Sequence, residues 1–131
     1  MKQAAIIAFF GLVGVAFCSH PKRLIGGWTQ HDPSSNPKYL ELAHFAISQQ
    51  TKGLDVYHTV LKLVKVETQV VAGINYRVIF ETAPTNCPVN EKYSIENCKP
   101  TTNMPSATCI ATVYERPWEN YRELTSFRCP R

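Results

Sequence analysis

The sequence predicts an α+β fold, in which one α-helix lies against an antiparallel sheet of four to five strands. Two observations carry this prediction. Apolar residues follow helical spacing in one segment only, from Lys38 to about Thr51. Beyond that segment the chain is dense in Val, Ile, Thr and Tyr, which favour strands. The length of 131 residues suits a single domain.

Capping residues mark the start of the helix. Asn36 can cap a helix and Pro37 fits its first position. Gly53 is placed to end it. We expect His44, among apolar neighbours on this helix, to be a surface or boundary residue. The apolar stripe consists of Tyr39, Leu42, Ala43, Ala46 and Ile47, broadened by Phe45.

A β-hairpin is predicted after the helix. Before the helix, residues 26–36 are predicted to form a short strand and a loop. Val56–Thr68 forms the first arm, and residues 74–81 alternate apolar and polar side chains, as a half-buried strand does. Centring the turn on Val71 places both apolar patterns on one face. That register gives two facing pairs: Val66 with Tyr76, and Val64 with Val78.

The remaining chain divides into an irregular part and two more strands. Residues 83–106 are too rich in proline for a central strand, so we expect an irregular, disulfide-held excursion. The last two strands are predicted over Thr108–Tyr114 and Tyr121–Cys129. The four prolines concerned are Pro84, Pro88, Pro100 and Pro105.

The first residues are typical of a signal peptide. Lys2 gives a positive start, and Ala4–Phe17 carries no charge. Ala16 and Cys18 are small residues at positions −3 and −1 of a cut before Ser19. The alternative is a membrane anchor, but the apolar run is shorter than the ~20 residues that span a bilayer. We therefore expect residues 1–18 to be a cleaved leader.

Charge and cysteines narrow the class of protein. The formal charge of +4 is scattered, which gives no reason to expect a nucleic-acid partner. Four cysteines follow the leader (Cys87, Cys98, Cys109 and Cys129), so two disulfides are expected. Three pairings are possible, and the residues alone do not choose. If Cys109 faces Cys129 across antiparallel strands, the turn centres on Glu119, with Pro117 and Trp118 at its tip.

Three short apolar segments stand out because loops normally face water. They are Leu24–Gly27, Gln69–Gly73 at the predicted hairpin midpoint, and Pro117–Trp118. Each has a plainer interpretation: a linker after the leader, an ordinary turn, and a Trp packed on the core. Their joint occurrence favours one contact surface instead.

In this order the segments resemble those of the cystatins, secreted inhibitors of papain-like cysteine proteases, in the two-disulfide (type 2) subfamily. The resemblance implies that residues 19–131 are a cystatin domain whose sheet wraps around its helix. It implies reversible, tight, competitive inhibition of cathepsins of the L and S type by a three-part wedge. The implied protease-binding residues are Leu24, Ile25, Gly26, Gln69, Val70, Val71, Ala72, Gly73, Pro117 and Trp118.

The resemblance also implies the disulfides Cys87–Cys98 and Cys109–Cys129. We expect a secreted monomer without cofactor or metal, and without membrane association once the leader is removed. Some relatives inhibit legumain, an asparaginyl endopeptidase, through an Asn in a Ser-Asn-Asp loop. Here the aligned residues are Gly53-Leu54-Asp55, so that second activity is not expected.

A secreted basic protein can belong to two other functional classes. His31, His44 and His58 could serve a secreted nuclease as acid and base, but no motif places a Lys or Arg with them. No Gly-x-Ser-x-Gly occurs, and paired cysteines leave no thiol nucleophile, so we do not expect an enzyme. Neither the histidines nor the cysteines have ligand spacing for zinc. The alternative function is that of a non-inhibitory, cationic antimicrobial or signalling protein with the same fold.

Overall fold

A computed structural model describes residues 27–130, so the predicted leader lies outside the described residues. The described chain forms one α-helix and five strands in a single antiparallel sheet, which confirms the predicted fold class. Neighbours in the sheet follow chain order, from the first strand to the last. The elements are β1 (Thr29–His31), α1 (Pro37–Ile47), β2 (Val56–Val71), β3 (Gly73–Pro88), β4 (Ala107–Arg116) and β5 (Tyr121–Arg128).

The helix begins where the sequence predicts and ends earlier. The Asn36 side chain accepts a hydrogen bond from the Lys38 amide at 3.0 Å, and Pro37 occupies the first turn. The expected end near Thr51 and Gly53 is wrong, because α1 stops at Ile47. Ser48 ends it by turning its hydroxyl back to the Phe45 carbonyl at 2.9 Å, a bond that competes with helix continuation.

The β2–β3 hairpin turns on Ala72, so the predicted centre at Val71 is wrong by one residue. The chain closes on the pair Val71–Gly73, because Gly73 supplies the positive φ of 125°. Moving the centre by one residue shifts partners by two, so each side chain keeps its face. The observed pairs are Val66 with Val78 and Thr68 with Tyr76.

Val64 does not pair with Val78 as predicted. Leu63 pairs with Phe80 and Lys65 with Ile79, so Val64 is the extra residue of a bulge. Its side chain is 45% exposed instead of lying in the core. A bulge breaks the period-two pattern on which the prediction rested.

The second arm of this hairpin runs further than predicted, through Pro84 to Pro88. β4 pairs with residues 74–82 of β3 only, so residues 83–88 of β3 have no partner in β4. A proline, which lacks an amide hydrogen, is tolerated at such an edge. The irregular excursion therefore begins after Pro88, and residues 89–106 contain no strand.

The core lies between α1 and the facing side of the sheet. The helix contributes Leu42, Ala43 and Ala46, all fully buried, and packs across β2, β3 and β4. This packing confirms the helical stripe. The alternating strand residues that face it are Val66, Tyr76, Val78, Phe80, Ala111 and Val113.

Both expected disulfides are present in the structure, Cys87–Cys98 and Cys109–Cys129. The first closes the excursion after β3, with Cα atoms 5.6 Å apart. The second joins β4 to the residue after β5. Each removes freedom from the unfolded chain and typically stabilises a domain by ~2–4 kcal/mol.

His44 is buried, which corrects the expectation of a surface or boundary residue. Its Nδ1 lies 2.6 Å from the Tyr93 hydroxyl, which lies 2.6 Å from the Thr59 hydroxyl. This set of contacts ties the excursion to α1 and β2. Burial, with a smaller effect of the Lys99 charge, lowers the pKa of His44 to about 4.

The low pKa makes stability depend on pH. Unfolded His44 takes up a proton near pH 6.5 and folded His44 only near pH 4, so stability falls as pH drops through that window. We expect this residue to account for a loss of about 1–3 kcal/mol. Denaturant unfolding at several pH values should show a shallower decline for His44→Gln than for the native protein. Equal slopes would contradict the assignment.

Candidate functional site

Pairing between β3 and β4 brings two chain reversals to the same end of the sheet. Ile74, two residues after the Ala72 turn, pairs with Glu115. Two residues beyond Glu115 the chain enters a short 3₁₀ turn, Pro117–Glu119, which leads into β5. The turn at Ala72 with its flanking residues, Gln69–Gly73, is called the Ala72 tip, and the turn Pro117–Glu119 is called the Trp118 tip. The two tips are therefore neighbours.

The N-terminal segment enters the sheet at the same end. β1 pairs with β2 through Thr29 and Thr68, and continuing that register places Gly27 opposite Val70. Leu24, Ile25 and Gly26 lie outside the described residues, so their predicted role stays a prediction. The chain leading away from β1 nevertheless starts beside the Ala72 tip.

A stacked pair holds the start of β1 in place. The Arg77 guanidinium lies 4.0 Å from the centre of the Trp28 ring, a cation–π contact. Arg77 Nε also donates to Glu67 Oε1 at 2.8 Å. Because Trp28 precedes β1 directly, this contact orients the chain that leads towards Gly27.

The Ala72 tip is apolar at its surface and hydrogen-bonded at its base. Val70 is 64% exposed and Ala72 is also exposed, whereas Val71 is half-buried. Below them, Asn75 Nδ2 donates to Gln69 Oε1 at 3.0 Å, across the hairpin. The polar first residue of the predicted segment thus supports the turn, and its apolar residues form the surface.

Gly73 is required by the shape of this turn. Its φ of 125° is rare for residues with a side chain. A Cβ at this position would lie 2.6 Å from the Glu115 carbonyl oxygen and 2.7 Å from the Tyr114 hydroxyl. Only glycine lets the turn approach β4 so closely.

The Trp118 tip is built around a left-handed residue. Asn120 has φ 54°, and its amide donates to the Pro117 carbonyl at 3.1 Å, closing the turn. Trp118 is 67% exposed. The interpretation of Trp118 as a core residue is therefore wrong, and the expected place at the tip of the hairpin is confirmed.

Two residues that the sequence reasoning missed lie between the tips. The Tyr114 hydroxyl donates to the Ala72 carbonyl, and Arg116 Nε donates to Glu119 Oε1 at 2.7 Å. Bonds to Tyr114 and Glu119 hold the pKa of Arg116 above its ordinary value. The Arg-x-x-Glu spacing before the tip was a usable signal for Arg116, but no local signal connects Tyr114 to Ala72.

A buried carboxylate lies beneath both tips. Glu115 forms an ion pair with Lys38 Nζ and accepts a hydrogen bond from Arg122 Nε, each at 2.6 Å, and so joins α1, β4 and β5. Burial opposes its ionisation, but the two cations outweigh this and hold the pKa of Glu115 below its usual value. These contacts of Glu115 fix the helix relative to the end of the sheet that carries the tips.

The other candidate sites do not form a reactive centre. His31 Nε2 lies 2.7 Å from the Thr68 hydroxyl, and His44 contacts Tyr93, so these histidines belong to separate structural contacts. Among residues 27–130, no group of three or more His, Cys, Asp and Glu side chains could hold a metal ion. Nor does this part of the chain contain a helix long and apolar enough to cross a membrane.

The predicted counterpart of the second protease site lies far from the tips. Leu54 is half-buried in the turn before β2, and its amide donates to the Thr51 carbonyl at 3.0 Å. β2 starts there, with Val56 opposite Pro88, and reaches Ala72 only at its other end. The length of β2 therefore separates this turn from the two tips.

Known proteins are similar to this chain in sequence and in architecture. Residues 26–118 match the family model of the cystatin domain. The chain is 50% identical to Cystatin-1 of Ornithodoros moubata over 119 residues, which cover 90% of this chain and 91% of that protein. It is 40% identical to Mialostatin of Ixodes ricinus over 131 residues, which cover 98% and 93% of the two chains.

Solved structures agree with these matches. The crystal structure of a salivary cystatin from the soft tick Ornithodoros moubata has a TM-score of 0.77 at 47% identity, covering 81% of this chain and 98% of that one. The structure of Mialostatin, a gut cystatin from the hard tick Ixodes ricinus, has a TM-score of 0.76 at 42% identity, with 79% and 97% covered. Both alignments cover nearly the whole chain of the solved structure.

Substituting Gly73 tests the shape of the Ala72 tip. We expect Gly73→Ala to lower the free energy of unfolding by about 3 kcal/mol or more, from the unfavourable φ and the clash with β4. Gly53→Ala is the matched control: Gly53 also has a positive φ, of 77°, but no described atom lies within 4 Å of its Cβ position. That variant should lose only about 1–2 kcal/mol. Equal losses in denaturant unfolding would contradict the close approach.

Proposed function

Because the chain belongs to the cystatin family, whose members are protease inhibitors and not enzymes, we propose that it inhibits papain-like cysteine proteases by a reversible, tight and competitive mechanism. The targets would be cathepsins of the L and S type. One observation carries the proposal: two turns that expose apolar side chains, Val70 on the Ala72 tip and Trp118 on the Trp118 tip, lie side by side at one end of the sheet. Exposed apolar side chains on two neighbouring turns are suited to insertion into a cleft.

The energetics of docking support a wedge. Val70 and Trp118 present apolar surface, and burying them against a protease requires no charge to lose its water. The tips are held by backbone pairing, by the Gln69–Asn75 bond and by the Pro117–Asn120 turn, so docking costs little conformational entropy. Aromatic residues such as Trp118 are frequent hot spots in interfaces.

The N-terminal segment supplies the third part of the wedge in this proposal. Leu24 and Ile25 would fill substrate-side pockets, and Gly26 would let the backbone turn away from the catalytic thiol. The peptide bond is then not presented for attack, and the inhibitor is released intact. Extending the β1–β2 register places Gly27 opposite Val70. This supports the arrangement, because the segment before Gly27 would then start beside the Ala72 tip.

We also propose that the protein is secreted as a monomer after removal of residues 1–18. Two relatives are described as a salivary and a gut cystatin, which fits an exported protein. Two disulfides fit an oxidising compartment. In such a setting the targets would be proteases that meet the inhibitor outside the cell that made it.

The first test of the function is a titration of papain with oxidised mature protein, using a fluorogenic peptide substrate. We expect competitive inhibition, and in Trp118→Ala a loss of binding free energy of about 2 kcal/mol or more, with the unfolding free energy nearly unchanged. Met104→Ala is the matched control, because Met104 is 73% exposed but lies just before β4, at the end of that strand opposite to the two tips. Failure of the folded native protein to inhibit at micromolar concentration would refute the function.

The turn before β2 generates a second prediction. A pocket that reads an asparagine amide rejects a side chain without donor or acceptor, because its own polar groups stay unpaired. We therefore expect the native protein not to inhibit legumain usefully. Leu54→Asn should introduce measurable inhibition if the turn keeps its shape, and Leu54→Ala serves as the control for lost bulk. Strong inhibition by the native protein would show that the alignment of this turn is wrong.

A further inference from the structure

Tyr114 connects the two hairpins that carry the tips. It lies on β4, in the second hairpin, and its hydroxyl donates to the carbonyl of Ala72, the turn residue of the first hairpin. The same hydroxyl lies 2.7 Å from the Cβ position of residue 73. The Tyr114 side chain therefore lies against the turn at Gly73 and bonds to the carbonyl of Ala72.

Arg116 connects Tyr114 to the second tip. Its Nη1 donates to the Tyr114 hydroxyl at 3.4 Å, and its Nε donates to Glu119 at 2.7 Å. The guanidinium also lies 4.2 Å from the centre of the Tyr121 ring. Because Glu119 belongs to the same 3₁₀ turn as Trp118, a continuous set of contacts runs from tip to tip. We call this set the tip brace: Ala72, Tyr114, Arg116 and Glu119.

We infer that Tyr114 and Arg116 are positioning residues, which hold the two tips in their protease-binding arrangement before any protease arrives. This inference rests on the proposed inhibitory function. Neither side chain needs to contact the protease, since both act through the Ala72 tip and the Trp118 tip. Backbone pairing places the tips near one another, and the tip brace restricts the remaining motion of one turn against the other.

A positioning role has its own kinetic signature. Without the Tyr114 hydroxyl, the exposed Ala72 carbonyl bonds to water and the tip samples more arrangements. Only part of the free inhibitor is then ready to bind, which slows association. Loss of a direct contact with the protease would instead speed dissociation.

The experiment compares three variants by stopped-flow binding to papain and by amide hydrogen exchange of the free inhibitor. Tyr114→Phe removes only the hydroxyl, and Arg116→Gln removes the charge. Tyr121→Phe is the matched control, because its hydroxyl bonds at 2.7 Å to Glu123 on the same strand and not to the first hairpin. Circular dichroism checks that each variant is folded.

We expect Tyr114→Phe to slow association about 3- to 10-fold, the range for one lost hydrogen bond, with dissociation nearly unchanged. Amides of residues 71–73 should exchange faster in that variant than in Tyr121→Phe. Arg116→Gln should act in the same direction, and the double variant should bind no more slowly than the slower single one, because both residues act in one set of contacts. If Tyr114→Phe does not fold, Arg116→Gln carries the test.

Three outcomes are distinguishable. Equal association rates and equal exchange in Tyr114→Phe and Tyr121→Phe would overturn the inference. Faster dissociation with unchanged exchange at residues 71–73 would also overturn it, because Tyr114 would then be a direct contact. Absence of inhibition by the native protein would refute the proposed function, while the exchange comparison would still report whether the tip brace holds the free inhibitor.

Discussion

Register between β3 and β4 is the constraint on which the candidate site depends. The two strands belong to different hairpins, so their pairing alone decides how far apart the two tips lie. Ile74 opposite Glu115 puts both turns within two or three residues of the same line across the sheet. A slip of one residue would turn the inward side chains of β4 towards solvent, so burial of Ala111 and Val113 holds this register in place.

Charged residues reinforce the same line of the sheet from beneath. Glu115 is buried, and Lys38 and Arg122 neutralise it from α1 and β5. A buried charge that lost its partners would be costly, so these contacts oppose any arrangement in which the helix and the tips separate. The tip brace lies at the surface of the same region, where Tyr114 and Arg116 connect the two turns. Apolar tips can therefore be rigid although they are exposed.

Opposite ends of the sheet have different physical roles. The end with the Ala72 and Trp118 tips exposes the apolar side chains of Val70 and Trp118, and its charged residues Arg116 and Glu119 pair with each other. The other end carries the disulfide-held excursion, and there the polar contacts of His44 with Tyr93 replace regular pairing. Protonation of His44 in acid would weaken its contact with Tyr93, which lies at a distance along β2 from the tips. Stability and inhibition are thus expected to respond differently to pH.

Local signals in the sequence determined the helix start at Asn36, the inward faces of the strands and the apolar character of both tips. Such features depend on neighbours three or four positions away, or on alternation along a strand. Tertiary structure alone decided the bulge at Val64, the burial of His44 and the bond from Tyr114 to Ala72. Each of these depends on groups distant in sequence, because a bulge, a buried ring or a cross-hairpin bond forms only once the sheet register and the helix packing are set.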